Sequence, residues 1–237
     1  MERVALSTER IVATSRDLLI EGGPPAVVVR EVARRLGVSA PALYRHVTGR
    51  DDLLTLLIAA CNDEVTAACG QALAGCAPDD HDARLRQATL AFRSWALANP
   101  PEFGLLYGAP IAGYVAPPAG PTVASSRRFG QLFGGIFADL LRAGRLRTMP
   151  DDELAPALRA DLRRAADSMG LPMRPGQVYP FVVGWQRMLG LVSVEVSGHL
   201  RWAFEDADGF ARRQLDELAD ELLLPTVGPV SEGLVSD

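Results

Sequence analysis

VREVARRLGVSAPALYRHV, residues 29–47, is the stretch that decides the fold. Val32, Leu36, Val38 and Leu43 recur at the spacing of two short helices that share one apolar face, and Val47 extends that face. Ala33 is small enough to let the second helix cross closely, and Gly37 permits the sharp left-handed turn between them. Ser39 caps the second helix, and Pro41 falls in its first turn, where a missing N–H is tolerated. The pattern is a helix-turn-helix. Its outward residues are mostly cationic: Arg30, Arg34, Arg35, Arg45 and Arg50 stand against a single acid, Glu31, between residues 24 and 50. Ser39, Ala40, Pro41 and Ala42 give the second helix a slim leading end able to enter a major groove. Tyr44, Arg45 and His46 then offer hydrogen-bonding groups to phosphates and base edges.

Outward from this stretch the chain reads as helical nearly throughout, an all-α fold. Ser7 or Thr8 caps a first helix in which Ile11, Val12, Ser15, Leu18 and Leu19 keep helical spacing, and Gly22 to Pro25 end it. Thr48 and Gly49 break the short helices, and a long one is expected over residues 50–76, with Asp51 and Asp52 where the helix dipole favours anions. Further helices are expected over 79–99, 100–108, 151–169, 178–200 and 208–224. Between 121 and 151, Phe129, Leu132, Phe133, Ile136, Phe137, Leu140 and Leu141 form an amphipathic stripe. The expected organisation is a helix-turn-helix head over residues 1–50, a larger helical body over 51–225 and a loose tail over 226–237.

Composition narrows the function. All 24 cationic side chains among the 237 residues are arginine. Without lysine the chain cannot be a P-loop ATPase, a protein kinase or an enzyme using a lysine Schiff base. The net charge of -5 conceals two opposed halves. Residues 1–50 hold 8 arginines against 5 acids, and residues 51–237 hold 16 against 24, so a basic head joins an acidic body. Residues 1–20 intersperse charges with apolar residues and lack a signal-peptide core. The apolar run 180–200 carries Gln186, Arg187, Glu195 and His199, too polar for a membrane span, so no membrane partner and a cytoplasmic location are expected. Cys61, Cys69 and Cys76 match no zinc or redox spacing and read as small core residues. His81 and His199 are isolated. No metal site, cofactor or convergent catalytic set is expected, so the chain is not read as an enzyme.

The run 8–57 strongly resembles the DNA-binding domain of the tetracycline-repressor (TetR) family. The resemblance is carried by Gly37-Val38-Ser39-Ala40-Pro41-Ala42-Leu43-Tyr44-Arg45-His46-Val47 and by Arg50-Asp51-Asp52-Leu53-Leu54. It implies a dimeric, all-helical transcription regulator whose C-terminal domain binds a small molecule. By position, Ala40, Pro41, Ala42, Tyr44, Arg45 and His46 would face the operator, with Ser39 at the head of their helix. Val29, Arg30 and Arg50 would touch the DNA backbone. Many members have Ser or Thr at the position aligned with Val29, capping the helix onto a phosphate, which valine cannot do. The C-terminal part is similar to the class known for a Trp-His-Gly motif, through Asn99 to Gly108, Pro110, Gly113-Tyr114, Ala116-Pro117, Trp185 and Gly190. Leu189 stands at the His position. If that His binds ligand in relatives, this chain does so differently or not at all.

The helix 178–200 is apolar on nearly every side and must bury two faces. A dimer interface is therefore expected from Val182, Leu189, Val192 and Val196 together with Leu215, Leu218 and Leu222, and two-fold symmetry suits a palindromic operator. Trp95, Phe103, Leu106, Tyr107, Phe129, Phe133, Phe137, Trp185 and Met188 are the candidates to line a cavity for a largely apolar effector. The function expected is a repressor released from double-stranded DNA by that small molecule. The alternative is a small-molecule binding or sequestering protein with a vestigial head.

Overall fold

Ser7 opens the first helix as the sequence predicts, its Oγ accepting the Arg10 N–H. In the computed structural model, which describes residues 6–225, this helix, α1, spans Thr8–Gly22. Two short helices follow, α2 (Val29–Leu36) and α3 (Ala40–Leu43). Gly37 between them sits at φ 67°, ψ 28°, the left-handed conformation, and the Val38 N–H returns to the Ala33 carbonyl at 3.0 Å. Ile11, Leu18, Leu19, Val32, Ala33, Leu43 and Val47 close the small core of this head.

The long helix α4 spans Arg50–Ala74 and packs on α1 as well as on the body helices α5 (His81–Ala98), α6 (Pro100–Tyr107) and α7 (Pro121–Arg142). By length and composition α4 is apolar enough to cross a membrane, but half of its apolar stretch is buried against these neighbours. Its apolarity is that of a central helix touched on several sides. Cys61 and Cys69 are buried in it, and burial pushes both thiols up to about 12. Phe129, Phe133, Ile136, Phe137 and Leu140 of α7 form a buried stripe, with Leu132 and Leu141 half-buried at its margins.

The remaining helices are α8 (Pro156–Met169), α9 (Pro175–Val196) and α10 (Asp208–Leu222). The helix expected over 151–169 is divided: Asp151–Glu153 is a separate 3-10 turn, and Leu154 and Ala155 are extended. Pro156 explains the break, because a residue preceding proline is pushed out of the helical region. α9 begins earlier than expected, at Pro175, where the side-chain Oε1 of Gln177 accepts the Arg174 N–H at 2.9 Å. It ends four residues short of Leu200 in a turn containing Gly198 at φ 69°. The tail expected over 226–237 lies outside the described residues.

The seven residues expected at a dimer interface do not share one surface. Val192, Leu215, Leu218 and Leu222 are buried within the chain, where α10 packs on α5 and α9. α10 turns its leucines inward and Arg212, Arg213, Asp216 and Asp220 outward, and Val192 is buried on α9. Val182 is exposed, and Leu189 and Val196 are half-buried. The junction is pinned by Arg93 of α5, only 3% exposed. It donates to both oxygens of Glu195, from Nε at 2.7 Å and Nη2 at 2.5 Å, and from Nη1 to Asp208 at 2.7 Å. This network ties the end of α9 and the start of α10 to α5.

Candidate functional site

The head presents a compact cationic face. α2 starts from Val28, the capping residue, whose side chain is 38% exposed. Val29 is 6% exposed, and its side chain belongs to the core of the head. The register places Val28, not Val29, where a capping hydroxyl would stand, and valine has none. Arg30 is exposed. Arg34 and Arg35 are not free cations: Glu31 accepts from Arg34 Nε at 2.9 Å and from Arg35 Nε at 3.0 Å, and Glu21 accepts from Arg35 Nη1 at 2.7 Å. Hydrogen bonds from Arg34, then Arg35, lower the Glu31 carboxyl to about 2. Glu21, just outside the window that sequence reading weighed, also belongs to this network. Among the described residues Arg30 and Arg45 have no ion-pair partner.

Ser39 Oγ accepts the Ala42 N–H at 3.3 Å, which sets the start of α3. Regular helix ends at Leu43, and tight turns carry the chain through Tyr44, Arg45 and His46, with the His46 N–H on the Leu43 carbonyl at 2.8 Å. Ser39, Pro41, Tyr44, Arg45 and His46 are exposed, with Ala40 and Ala42 half-buried between them. All seven lie on α3 or in the turns on either side of it, and Arg30 is exposed on α2. Arg50 is half-buried, its Nη2 donating to the Pro24 carbonyl at 3.3 Å. The start of α4 is fixed by Asp52, which accepts from the Thr48 N–H at 2.7 Å and hydroxyl at 2.6 Å.

Head and body are joined through α4 by directed contacts. Arg16 of α1 donates to Glu64 of α4 at 2.5 Å and lies 3.6 Å from Glu102 of α6, a carboxylate 3% exposed. The Thr55 and Tyr114 hydroxyls are 3.0 Å apart, linking α4 to the loop after α6. Asn62, 6% exposed on the same helix, donates through Nδ2 to Ser125 and Ser126 of α7, both at 3.3 Å.

Asn62 also stands in the wall of a cavity of about 360 Å³, formed with Tyr107, Ser126, Phe129, Gly130, Phe133, Ala165, Ser168, Met169, Phe181, Val182 and Trp185. This is at the lower end of the size that holds small ligands. A second hollow of about 350 Å³ adjoins it, sharing Ser126, Ser168 and Met169 and adding Ala116, Thr122, Val123 and Arg127. A separate void of about 30 Å³ between α5, α7, α9 and α10 has room for little more than one water.

Of the nine residues expected at an effector cavity, Tyr107, Phe129, Phe133 and Trp185 line the 360 Å³ space. Phe137 and Met188 line the small void instead. Trp95 and Phe103 are buried and Leu106 half-buried, and none of the three borders either space. Phe103 instead packs its ring against Phe92 and Tyr107, with centroids 6.2 Å and 5.2 Å away. Phe92 joins Phe129, Tyr107 and Trp185 in one aromatic cluster at 5.5–5.8 Å. Burial raises the Tyr107 phenol above its ordinary range, and among the described residues its hydroxyl has no hydrogen-bond partner. Asn62, Phe181 and Met169 were missed by sequence reading. Asn62 opens the polar triplet Asn62-Asp63-Glu64 and so left no sequence signal that sets it apart from a solvent-facing residue.

Comparison with known proteins agrees with both halves of this arrangement. Residues 11–57 match the family described as bacterial regulatory proteins, tetR family, and residues 85–218 match the tetracyclin repressor-like C-terminal domain. An HTH-type transcriptional regulator of Mycobacterium tuberculosis is 31% identical over 189 residues, 80% of each chain, and one from Mycobacterium bovis matches equally. A protein of unknown function from Rhodococcus shares the fold with a TM-score of 0.69 at 21% identity, over 93% of this chain and 97% of that one. A TetR family transcriptional regulator from Thermus thermophilus shares it with a TM-score of 0.54 at 20% identity, over 89% and 97%. With head and body both matched, the chain belongs to the TetR family and is a DNA-binding transcriptional regulator.

Proposed function

We propose that the protein is a cytoplasmic homodimeric repressor released from a palindromic operator when a small, largely apolar molecule occupies the cavity of its body. The observation that carries this reading is the course of α4. It begins at Arg50 beside the cationic face of the head and places Asn62 in the cavity wall three turns later. A ligand that displaces Asn62 from Ser125 and Ser126 pulls on the same helix that orients the head. The DNA-facing set is Arg30, Ser39, Ala40, Pro41, Ala42, Tyr44, Arg45 and His46, with Arg50 at the margin. Dimerisation would use the exposed face of α9 around Val182 and Leu189. Two heads then engage successive major grooves about 34–36 Å apart. A ligand coupling of about 1–3 kcal/mol weakens operator binding roughly 5–150-fold.

Selection of bound sites from random DNA, followed by gel retardation, tests the reading. A palindromic consensus is expected, and Arg45→Ala should weaken it by at least about 1 kcal/mol. Tyr44→Phe should weaken binding about equally on all sequences, at an unchanged salt slope, if the neutral hydroxyl binds phosphate. Failure to retard any selected DNA at low salt, with small-molecule binding intact, would favour a sequestering protein with a vestigial head.

A further inference from the structure

The two adjoining spaces in the body differ in chemistry. The inner one is walled by Phe129, Phe133, Phe181 and Trp185, with Tyr107, whose hydroxyl has no partner among the described residues. The outer one adds Arg127 and the hydroxyl residues Thr122, Ser126 and Ser168 to a wall otherwise made by Ala116, Val123 and Met169. Thr122 is 5% exposed, and its hydroxyl is likewise unpartnered, a costly state for a buried polar group. Among the described residues Arg127 has no ion-pair partner, whereas its neighbour Arg128 is held by Asp63 at 2.6 Å. No aspartate or glutamate lines either space. An aromatic chamber therefore adjoins a hollow that Ala116, Val123 and Met169 also keep largely apolar, and whose single charge is a guanidinium without an ion pair.

We infer that the effector is an elongated carboxylic acid, its apolar or aromatic body in the inner chamber and its carboxylate at Arg127 and Thr122 in the outer one. This rests on the effector-release reading and specifies its ligand class. A cation is disfavoured by Arg127. A wholly apolar molecule leaves both hydroxyls unsatisfied. Arginine suits a carboxylate because two of its N–H groups match the two oxygens. Ser126, shared by both chambers, accepts from Asn62, so a carboxylate drawn to this end also competes for the contact that α4 makes.

The test is calorimetric titration of the full chain, without DNA, using 6-phenylhexanoate, its primary amide and 6-phenylhexylammonium. The carboxylate should bind at least fivefold more tightly than the amide, and the ammonium should be weakest. Arg127→Gln, on an exposed unpaired side chain and so benign to folding, should bring the carboxylate to within twofold of the amide. Thr122→Val should weaken the carboxylate several-fold. Equal binding of acid and amide, an acid preference that survives Arg127→Gln, tighter binding of the ammonium, or no binding by any of the three would overturn the assignment. None of these outcomes bears on operator binding, which is measured separately by gel retardation and would fail independently.

Discussion

Replacing Arg93 with methionine removes the cation that holds three helices together, and the cost follows from what remains. Glu195 loses both of its short hydrogen bonds while its side chain stays 9% exposed, so a nearly buried carboxylate is left uncompensated. Breaking a buried pair from one side costs about 3–5 kcal/mol. Asp208 is 45% exposed and keeps Arg212 at 2.8 Å, so its loss of Arg93 adds little. In urea, with an m-value near 3 kcal/mol/M, the unfolding midpoint should fall by about 1–1.5 M at unchanged m. Arg93→Met combined with Glu195→Met removes both charges and fills the space with apolar atoms. That double variant should regain about 2 kcal/mol or more over Arg93→Met alone, because no orphaned carboxylate remains. A coupling below about 0.5 kcal/mol between the two positions would refute the reasoning, since the pair would then contribute nothing specific.

Other consequences are equally direct. The Glu31 carboxyl, held down by Arg34 and Arg35, should titrate in NMR at about 2 and not at its ordinary 4.5. Because the folded value is depressed, its contribution to stability is complete above 4.5 and disappears as pH falls from there through about 2. Glu31→Gln releases Arg34, while Arg35 stays with Glu21, and should steepen the slope of log affinity against log salt by up to about 0.9 if Arg34 then meets a phosphate. Gly37→Ala meets no neighbour but must adopt φ 67°, and should cost about 1–2 kcal/mol. Gly176→Ala should cost more, since its Cβ would fall 1.8 Å from the Met149 carbonyl oxygen, and comparing the two melting temperatures checks the order. In the folded protein a thiol reagent should modify Cys76 quickly and Cys61 and Cys69 only after denaturation, because both are buried with thiols near 12.

How much was legible in the sequence depends on the range of the interactions. α2, Gly37, the Ser39 cap and the start of α4 at Arg50 lie where the sequence predicts them. Helix period, a left-handed glycine and a capping hydroxyl are all local features. The single helix expected over 151–169 failed at Pro156, whose effect on Ala155 outweighed the apolar spacing. Four of the residues expected at a dimer interface, Val192, Leu215, Leu218 and Leu222, proved instead to be buried within the chain. Leu215, Leu218 and Leu222 satisfy helical periodicity whether they face a second chain or α5 and α9, and the pattern cannot distinguish these.

The sequence by itself determined the helix-turn-helix head, its charge contrast with the body and an all-helical architecture, because each follows from residues close together in the chain. Only the tertiary structure decided which arginines are free, since Arg35 is neutralised by Glu21 fourteen positions away. It likewise decided that Val28 and not Val29 meets solvent, and that Asn62 joins Tyr107 and Trp185 in one cavity wall. Those outcomes depend on which helix faces pack together. Packing is set by the summed fit of distant side chains, which no local pattern records.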